Sequence, residues 1–264
     1  GGTTIKTGRS NESWKKNRGG ELIMVGVIDI PSEVLNTIYS AATSKLMDLD
    51  EVKINVTEGR FKVYHRNAEC SGMFVYESEF YEDIKDLTVD IPMFVKDIKT
   101  VLSIVKKGKA NFTVNPGETI FRFEKLTKHF PHPTNVSTPE KLPAIEVTTK
   151  IEMSDKNMEM INDSFSDIKN TDIKIFANND SIKFEADNEI RKTNIVFEPT
   201  DVISYSNTEK TFVGFDKDMA ISMFNVKKDG KYTIELGNRY PMKVTQEIPS
   251  IGKVVYYIAP KIYD

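Results

Sequence analysis

Apolar and polar positions follow one phrase four times along this chain: an apolar run, a helical stripe, then a hairpin of alternating residues. In the first copy Leu22–Ile30 leads to Val34, Leu35, Ile38, Ala41 and Ala42, spaced as one face of a helix. Glu51–Val56 and Phe61–Arg66 alternate about the turn Thr57-Glu58-Gly59-Arg60, and Cys70–Ser78 adds a third strand. The second copy opens with Leu87–Ile91, sets Phe94, Val95, Ile98, Val101, Leu102 and Val105 on a helical stripe, and turns at Asn115-Pro116-Gly117-Glu118 between Ala110–Val114 and Thr119–Glu124.

The third copy runs from Ile145–Met153 through the cap Ser154-Asp155 to the stripe Met158, Ile161, Phe165 and Ile168. Asp172–Ala177, Ser181–Asp187 and Thr193–Glu198 read as its strands. The fourth starts at Lys210–Phe215, caps at Asp216, and turns Met219, Met223 and Val226 inward. Tyr232–Leu236, Pro241–Ile248 and Val254–Ala259 follow as strands. The expected helix starts Ser32, Pro92, Ser154 and Asp216 lie 60, 62 and 62 residues apart. So regular a period argues for one unit repeated, with helices and sheets segregated in an α+β fold.

Between the second and third copies the period stops. His129-Phe130-Pro131-His132-Pro133 begins a stretch with four prolines by Pro143. Proline interrupts helix and central strand alike, so residues 126–143 read as a long extended connecting loop. The chain then divides into an N-terminal domain at 21–125 and a C-terminal domain at 144–264. Residues 1–20, rich in Gly, Ser, Thr, Asn and Lys, have no period and read as a disordered lead or a vector-derived remnant. They lack the apolar core of a signal peptide. Trp14 among Lys15, Lys16 and Arg18 is a candidate contact within a mobile tail.

Composition narrows the function. A hydrophobic fraction of 39% supports a packed core, and no apolar run is long enough to span a bilayer. The single cysteine, Cys70, excludes an intrachain disulfide and a cysteine zinc site, which suits a reducing, intracellular setting. The net charge of −3 means that any basic surface is local.

Such a surface is present on the second helix. Lys96, Lys99, Ser103 and Lys106 fall opposite its apolar stripe, with Lys107 and Lys109 beyond. The fourth copy offers Lys217, Asn225 and Lys228, with Lys227 and Lys231 nearby. The first helix presents Asn36, Ser40 and Thr43, with Lys45 near its end, and the third, with Glu159, Asn162, Asp163 and Lys169, is not basic. Lysines on a solvated helix face need no function. Repeated on several helices without aromatic interleaving, they fit the phosphates of a duplex better than stacked single-stranded bases.

No phosphate loop, zinc spacing or nucleophile elbow occurs. Of the three histidines, His129 and His132 sit together in the proline-rich stretch, where two ligands are weak support for a metal. No carboxylate pair stands out as acid and base. The expectation is a protein without catalytic residues, cofactor or metal.

The block Val255-Tyr256-Tyr257-Ile258-Ala259-Pro260-Lys261-Ile262 resembles the end of DNA sliding clamps of the proliferating-cell-nuclear-antigen family. Gly237–Ile251, with Tyr240-Pro241 and Ile248-Pro249-Ser250-Ile251-Gly252, is similar to the family's final hairpin, and Asp172–Phe197 to its second-half sheet. The likeness covers about residues 22–264, the first half mainly in layout.

The resemblance implies two similar domains per subunit, four strand-helix-hairpin units, helices lining a central channel and sheets outside. Subunits join head to tail, usually as a trimer, around duplex DNA, and hold DNA polymerase, the clamp loader and other clamp-binding-motif proteins there. Lys96 and Lys99 match basic channel positions, and Lys227 or Lys228 a lysine on the fourth helix. Asn36, Thr37 and Asp163 depart from the pattern. The subunit contact is expected at Thr119, Phe121 and Phe123 of one copy and Thr193, Ile195 and Phe197 of the next.

A partner-peptide pocket is expected under the connecting loop, with Leu142, Ile145, Pro241, Tyr257, Ala259, Pro260, Lys261 and Ile262. Around Tyr64-His65-Arg66-Asn67 the family carries a methionine and small residues, so a basic side chain there bears on which peptides bind. The localisation implied is the nucleus in a eukaryote, or the cytoplasm for an archaeal or viral protein. Two other readings stand beside it: a subunit of a heterotrimeric checkpoint or repair clamp, and an enzyme using a metal at His129 and His132.

Overall fold

A computed structural model describes residues 4–6, 12–16, 22–139, 141–224, 227 and 229–263. The chain forms two compact units. Unit 1 comprises Gly1–Thr43, Leu49–His65 and Tyr76–Thr138, and unit 2 comprises Ser44–Asp48, Arg66–Val75 and Pro139–Asp264.

In unit 1, β1 (Thr4–Lys6), β2 (Glu12–Lys16) and β3 (Leu22–Pro31) precede α1 (Ser32–Ala42). β4 (Glu51–Thr57) and β5 (Arg60–Arg66) form a hairpin. β6 (Gly72–Ser78) is divided between the two units. β7 (Val89–Phe94), α2 (Val95–Ile104), β8 (Lys109–Asn115), β9 (Glu118–Phe123) and β10 (Leu126–Pro131) follow. One antiparallel sheet has the order β1-β2-β3-β8-β9-β10, and β4 lies between β5 and β7.

Unit 2 holds β11 (Thr149–Ser154), α3 (Asp155–Phe165), β12 (Asp172–Ala177), β13 (Ile182–Asp187), β14 (Lys192–Phe197), β15 (Ser204–Asn207), β16 (Thr211–Asp216), α4 (Lys217–Ser222), β17 (Lys231–Leu236), β18 (Met242–Ile248) and β19 (Gly252–Ile258). Its sheets run β15-β11-β17-β18-β19 and β14-β13-β12-β16. The architecture is α+β: antiparallel sheets with, among the described residues, four α-helices.

Strand burial follows the two-residue period of the pleat. In β4 the buried residues are Val52, Ile54 and Val56; in β13 they are Ile182, Phe184 and Ala186. The helices complete these cores. α1 buries Val34, Leu35, Ile38, Ala41 and Ala42, and α2 buries Val95, Ile98 and Val101. Within unit 1, α1 and α2 touch, as do α3 and α4 within unit 2. At the start of α3, Ser154 and Asn157 form a reciprocal capping box.

Several boundaries differ from the sequence reading. Pro92 lies inside β7, opposite Lys53, and α2 begins three residues later. β7 is flanked only by β4, so the missing proline N–H interrupts no second ladder. Leu126–Pro131 is a paired strand rather than free connecting loop, while β11 starts only at Thr149, after an unpaired approach. Within the expected disordered lead, β1 and β2 are paired strands; Arg18 and the other undescribed positions there lie outside the described residues. α4 ends at Ser222; Asn225, Val226 and Lys228 also lie outside the described residues.

His65 illustrates how a buried polar group is held. Its Nε2 accepts a hydrogen bond from the Lys53 backbone N–H at 2.9 Å, just past the last residue pair of the β4–β5 ladder. Burial, reinforced by the Lys53 charge, lowers its pKa from 6.5 to about 4. The folded protein therefore keeps His65 neutral where the unfolded chain begins to protonate. Stability is fully present above pH 6.5 and is lost as pH falls toward 4. The loss is at most ~3 kcal/mol, at about 1.36 kcal/mol per pKa unit. NMR should place the His65 midpoint near 4, and His65→Gln should flatten the urea midpoint between pH 6.5 and 4. A midpoint at the free-histidine value would refute the assignment.

Candidate functional site

Unit 2 contains a cavity of about 310 Å³. One wall is the turn leading into β6. Its centre is Asn67, which is buried. The Asn67 Oδ1 accepts from the Ser71 and Gly72 N–H groups at 2.9 and 3.1 Å. Its Nδ2 donates to the Leu46 carbonyl at 2.8 Å and the Ser71 hydroxyl at 2.9 Å. One side chain thus uses its full amide capacity to close the turn. Cys70 adopts a positive φ of 56° there, and Gly72 faces Leu46 so closely that a Cβ would lie 2.5 Å from it. Arg66, Cys70 and Met73 from this segment line the cavity.

The opposing wall comes from the connecting segment and the last hairpin. Lys141, Leu142 and Pro143 line the cavity together with Pro241, Tyr257 and Ala259. The Ala259 N–H donates to the Ser71 carbonyl at 2.8 Å, joining the end of β19 to the Asn67 turn. Tyr257 is buried and pairs with Lys243 across the β18–β19 ladder. The cavity therefore has an apolar floor and a rim carrying Arg66 and Lys141.

Where the connecting segment enters β11, threonine hydroxyls fasten it. Thr148 Oγ1 lies 2.6 Å and Thr149 Oγ1 2.9 Å from Thr211 Oγ1, all three residues being buried. The Thr148 N–H donates to the Leu236 carbonyl at 2.8 Å. Just before it, the Glu146 carbonyl presses on Gly237, where a Cβ would lie 1.8 Å from that oxygen.

The expected pocket residues separate into two groups. Leu142, Pro241, Tyr257 and Ala259 are together at the cavity; Ile145, Pro260, Lys261 and Ile262 do not line it. Lys261 instead donates its N–H to the Gly214 carbonyl at 2.8 Å, and Ile262 is 84% exposed. The carboxyl-terminal residues turn away because Tyr263 covers Gly214, its hydroxyl 3.0 Å from Asp172 Oδ2. Cys70 and Met73 were missed, although the stretch Tyr64-His65-Arg66-Asn67 was expected at this pocket. Their signal was an asparagine opening a short turn, Asn67-Ala68-Glu69-Cys70-Ser71-Gly72, between two strands.

Among the lysines, Lys96 and Lys99 stand exposed on the side of α2 away from Ile98 and Val101, and Lys96 Nζ lies 5.2 Å from the Phe94 ring centroid. Lys106 is exposed but lies beyond the helix, which ends at Ile104. Lys227 is half-buried after α4, and Lys228 lies outside the described residues. Lys217, read as surface, is 2% exposed and pairs with Asp218 at 2.6 Å. α3 exposes Glu159 and Asp163.

Strand placement corrects the expected contact edges. β9 is bonded on both sides, to β8 and β10, so Thr119 and Phe121 are fully buried and Phe123 lies on an interior strand. On that side of the sheet the edge strand is β10. In unit 2, β14 is an edge strand of its sheet, with Thr193 and Ile195 half-buried, Phe197 buried and Val196 exposed.

The two histidines of the proposed metal reading point to strand neighbours. His129 Nδ1 lies 3.1 Å from Glu118 and His132 Nε2 2.8 Å from Thr119 Oγ1. Among the described residues no group of three or more His, Cys, Asp or Glu side chains is placed to hold a metal ion.

No protein-family model matches the chain, and no curated protein matches it significantly. Solved structures do. A. fulgidus PCNA, in a structure with the C-terminal region of FEN-1 bound, aligns with a TM-score of 0.72 at 18% identity, over 90% of this chain and 99% of that one. The chain adopts the fold of PCNA sliding clamps. A PCNA2–PCNA3 complex from Sulfolobus tokodaii aligns at 0.71 and 14% identity, over 89% of this chain and 99% of that one. PCNA from Entamoeba histolytica aligns at 0.70 and 11% identity, over 90% and 98%. Coverage at both levels makes this a match to the whole clamp fold, not to one repeat of it.

The close approach of Glu146 to Gly237 offers a direct check on how the cavity wall is held. Gly237→Ala should force the connecting segment off its seat and cost roughly 1–3 kcal/mol. Urea unfolding should show the loss, and trypsin should cut faster after Lys141. An unchanged midpoint and cleavage rate would refute the seat.

Proposed function

We propose that this protein is a DNA sliding clamp: a ring of identical subunits that encircles duplex DNA and tethers polymerase, loader and other clamp-binding proteins. It acts as a scaffold without catalysis of its own. Each subunit contributes two domains, with β10 belonging to the first. The observation that carries the reading is the near-complete match to PCNA structures at TM-scores of 0.70–0.72. The exposed Lys96, Lys99 and Lys106 of unit 1 and, separately, Lys227 of unit 2 suit weak, sequence-independent phosphate contacts. Weak contacts matter because the ring must slide. The unit 2 cavity is the docking site for partner peptides, and tethering there raises the partner's effective concentration at the DNA.

Ring closure has a physical motive in the sheet edges. β10 and β14 each leave backbone groups open on one side, and open edges invite pairing with another chain. Head-to-tail pairing of β10 of one copy with β14 of the next covers both edges, and three such contacts close. This moves the contact from β9 to β10, with Leu126 and His129 exposed there and Thr193, Ile195 and Val196 opposite.

A heteromeric ring is the second reading, supported by the likeness to a PCNA2–PCNA3 complex. Sedimentation of the pure chain separates the two. A homotrimer has a mass near 90 kDa, three times the 30.0 kDa chain. A monomer at tens of micromolar would favour the heteromer. Lys96→Glu with Lys99→Glu should leave that mass unchanged while weakening duplex binding and flattening its salt dependence by roughly one unit of slope per lost contact. Unaltered binding and slope would refute the assignment of these lysines.

A further inference from the structure

The cavity of unit 2 carries a charge pattern that an apolar anchor does not need. Arg66 comes from the Asn67-stapled turn and Lys141 from the connecting segment, and both line the same space. Both residues are exposed. Among the described residues, neither forms an ion pair with a carboxylate, whereas Lys243 and Lys261 on neighbouring surface do, at 3.0 Å to Glu235 and 4.0 Å to Asp172. The Cys70 sulfur, 3.9 Å from Arg66 Nη1, is a weak acceptor and neutralises nothing.

We propose that the cavity selects short peptides carrying an aspartate or glutamate beside the apolar anchor, with Arg66 and Lys141 receiving the carboxylate. The inference rests on the reading of this cavity as the peptide site and adds which peptides it takes. The apolar floor of Leu142, Pro241 and Tyr257 accepts the anchor and sheds water. A guanidinium at its rim offers a planar fork that fits a carboxylate, and the lysine adds a mobile point charge. A basic flank meets like charge and is disfavoured. A nucleic acid would satisfy the cations but leave the apolar floor unused, so the occupant is a peptide.

The test uses the full chain and three fluorescein-labelled peptides with one shared anchor, an aliphatic residue followed by an aromatic pair. Their flanks carry two aspartates, two asparagines or two lysines. Fluorescence anisotropy should rank them aspartate, asparagine, lysine, with the aspartate peptide roughly tenfold tighter than the asparagine peptide at low salt. Arg66→Gln with Lys141→Gln should reduce that preference to within about twofold. Arg66→Glu should favour the lysine peptide.

Equal affinity for all three peptides overturns the selectivity while leaving the peptide site intact. A preference that survives the double glutamine variant overturns the assignment to these two residues. Absence of binding by every peptide, in a chain with native circular dichroism, overturns the peptide-site reading and this inference with it. Displacement of the aspartate peptide by an equal concentration of a short oligodeoxynucleotide overturns it as well, because the occupant would then be any polyanion.

Discussion

Burial of one face of each strand governs both units. Val52, Ile54 and Val56 face inward along β4 while Lys53 and Asn55 face out, and β13 repeats the arrangement with Ile182, Phe184 and Ala186 against Lys183 and Glu185. A one-residue slip would put every one of these apolar groups in water, so the register is fixed by the core rather than by the turns. The helices are too short to persist alone, α4 having only six residues. They exist because the sheets need a cover. Their polar sides are therefore free to carry whatever chemistry the sequence places there, and the lysines of α2 use that freedom.

The cavity depends on a different kind of constraint. A single buried amide, Asn67, satisfies two backbone N–H groups, one backbone carbonyl and one hydroxyl. Removing such a hub would strand several buried polar groups at once, which costs more than any one of the bonds contributes. Its effect is to fix the stem from which Arg66 and Cys70 project. The rim charges thus stand on a rigid base, while Lys141 on the other side belongs to a segment held at its far end. The cavity therefore carries one cation on a braced turn and one on a looser segment.

Much of this was legible in the sequence because the periods of helix and strand are local signals. The four copies, the hairpins and the helix cap at Ser154 were all readable from spacing and residue type. The errors trace to tertiary placement. Pro92 reads as a helix start because proline suits that position, yet β7 tolerates it as a strand with a single bonded neighbour. Pro131 and the residues before it read as loop for the same reason, although β10 pairs along its whole length. Lys217 reads as solvated because lysine usually is, but its stem runs into the core and its charge meets Asp218. Ile262 reads as a pocket residue, and no local signal reveals that Tyr263 pulls the last residues toward Gly214. The cavity's second wall depends on Asn67 reaching Leu46, 21 residues away, and no pattern in the sequence announces that contact.

The threonine fastening at the entrance to β11 has a consequence for the behaviour of the whole molecule. Thr148, Thr149 and Thr211 join through hydroxyls that carry no charge, and all three are buried. Salt does not screen such contacts, and no ordinary change of acidity alters their protonation. Contacts made by lysine to an external anion weaken as ions accumulate. The mounting of the cavity wall and any grip on an anionic ligand therefore answer to separate variables of the medium. A rise in salt would loosen the grip and leave the shape of the cavity as it was.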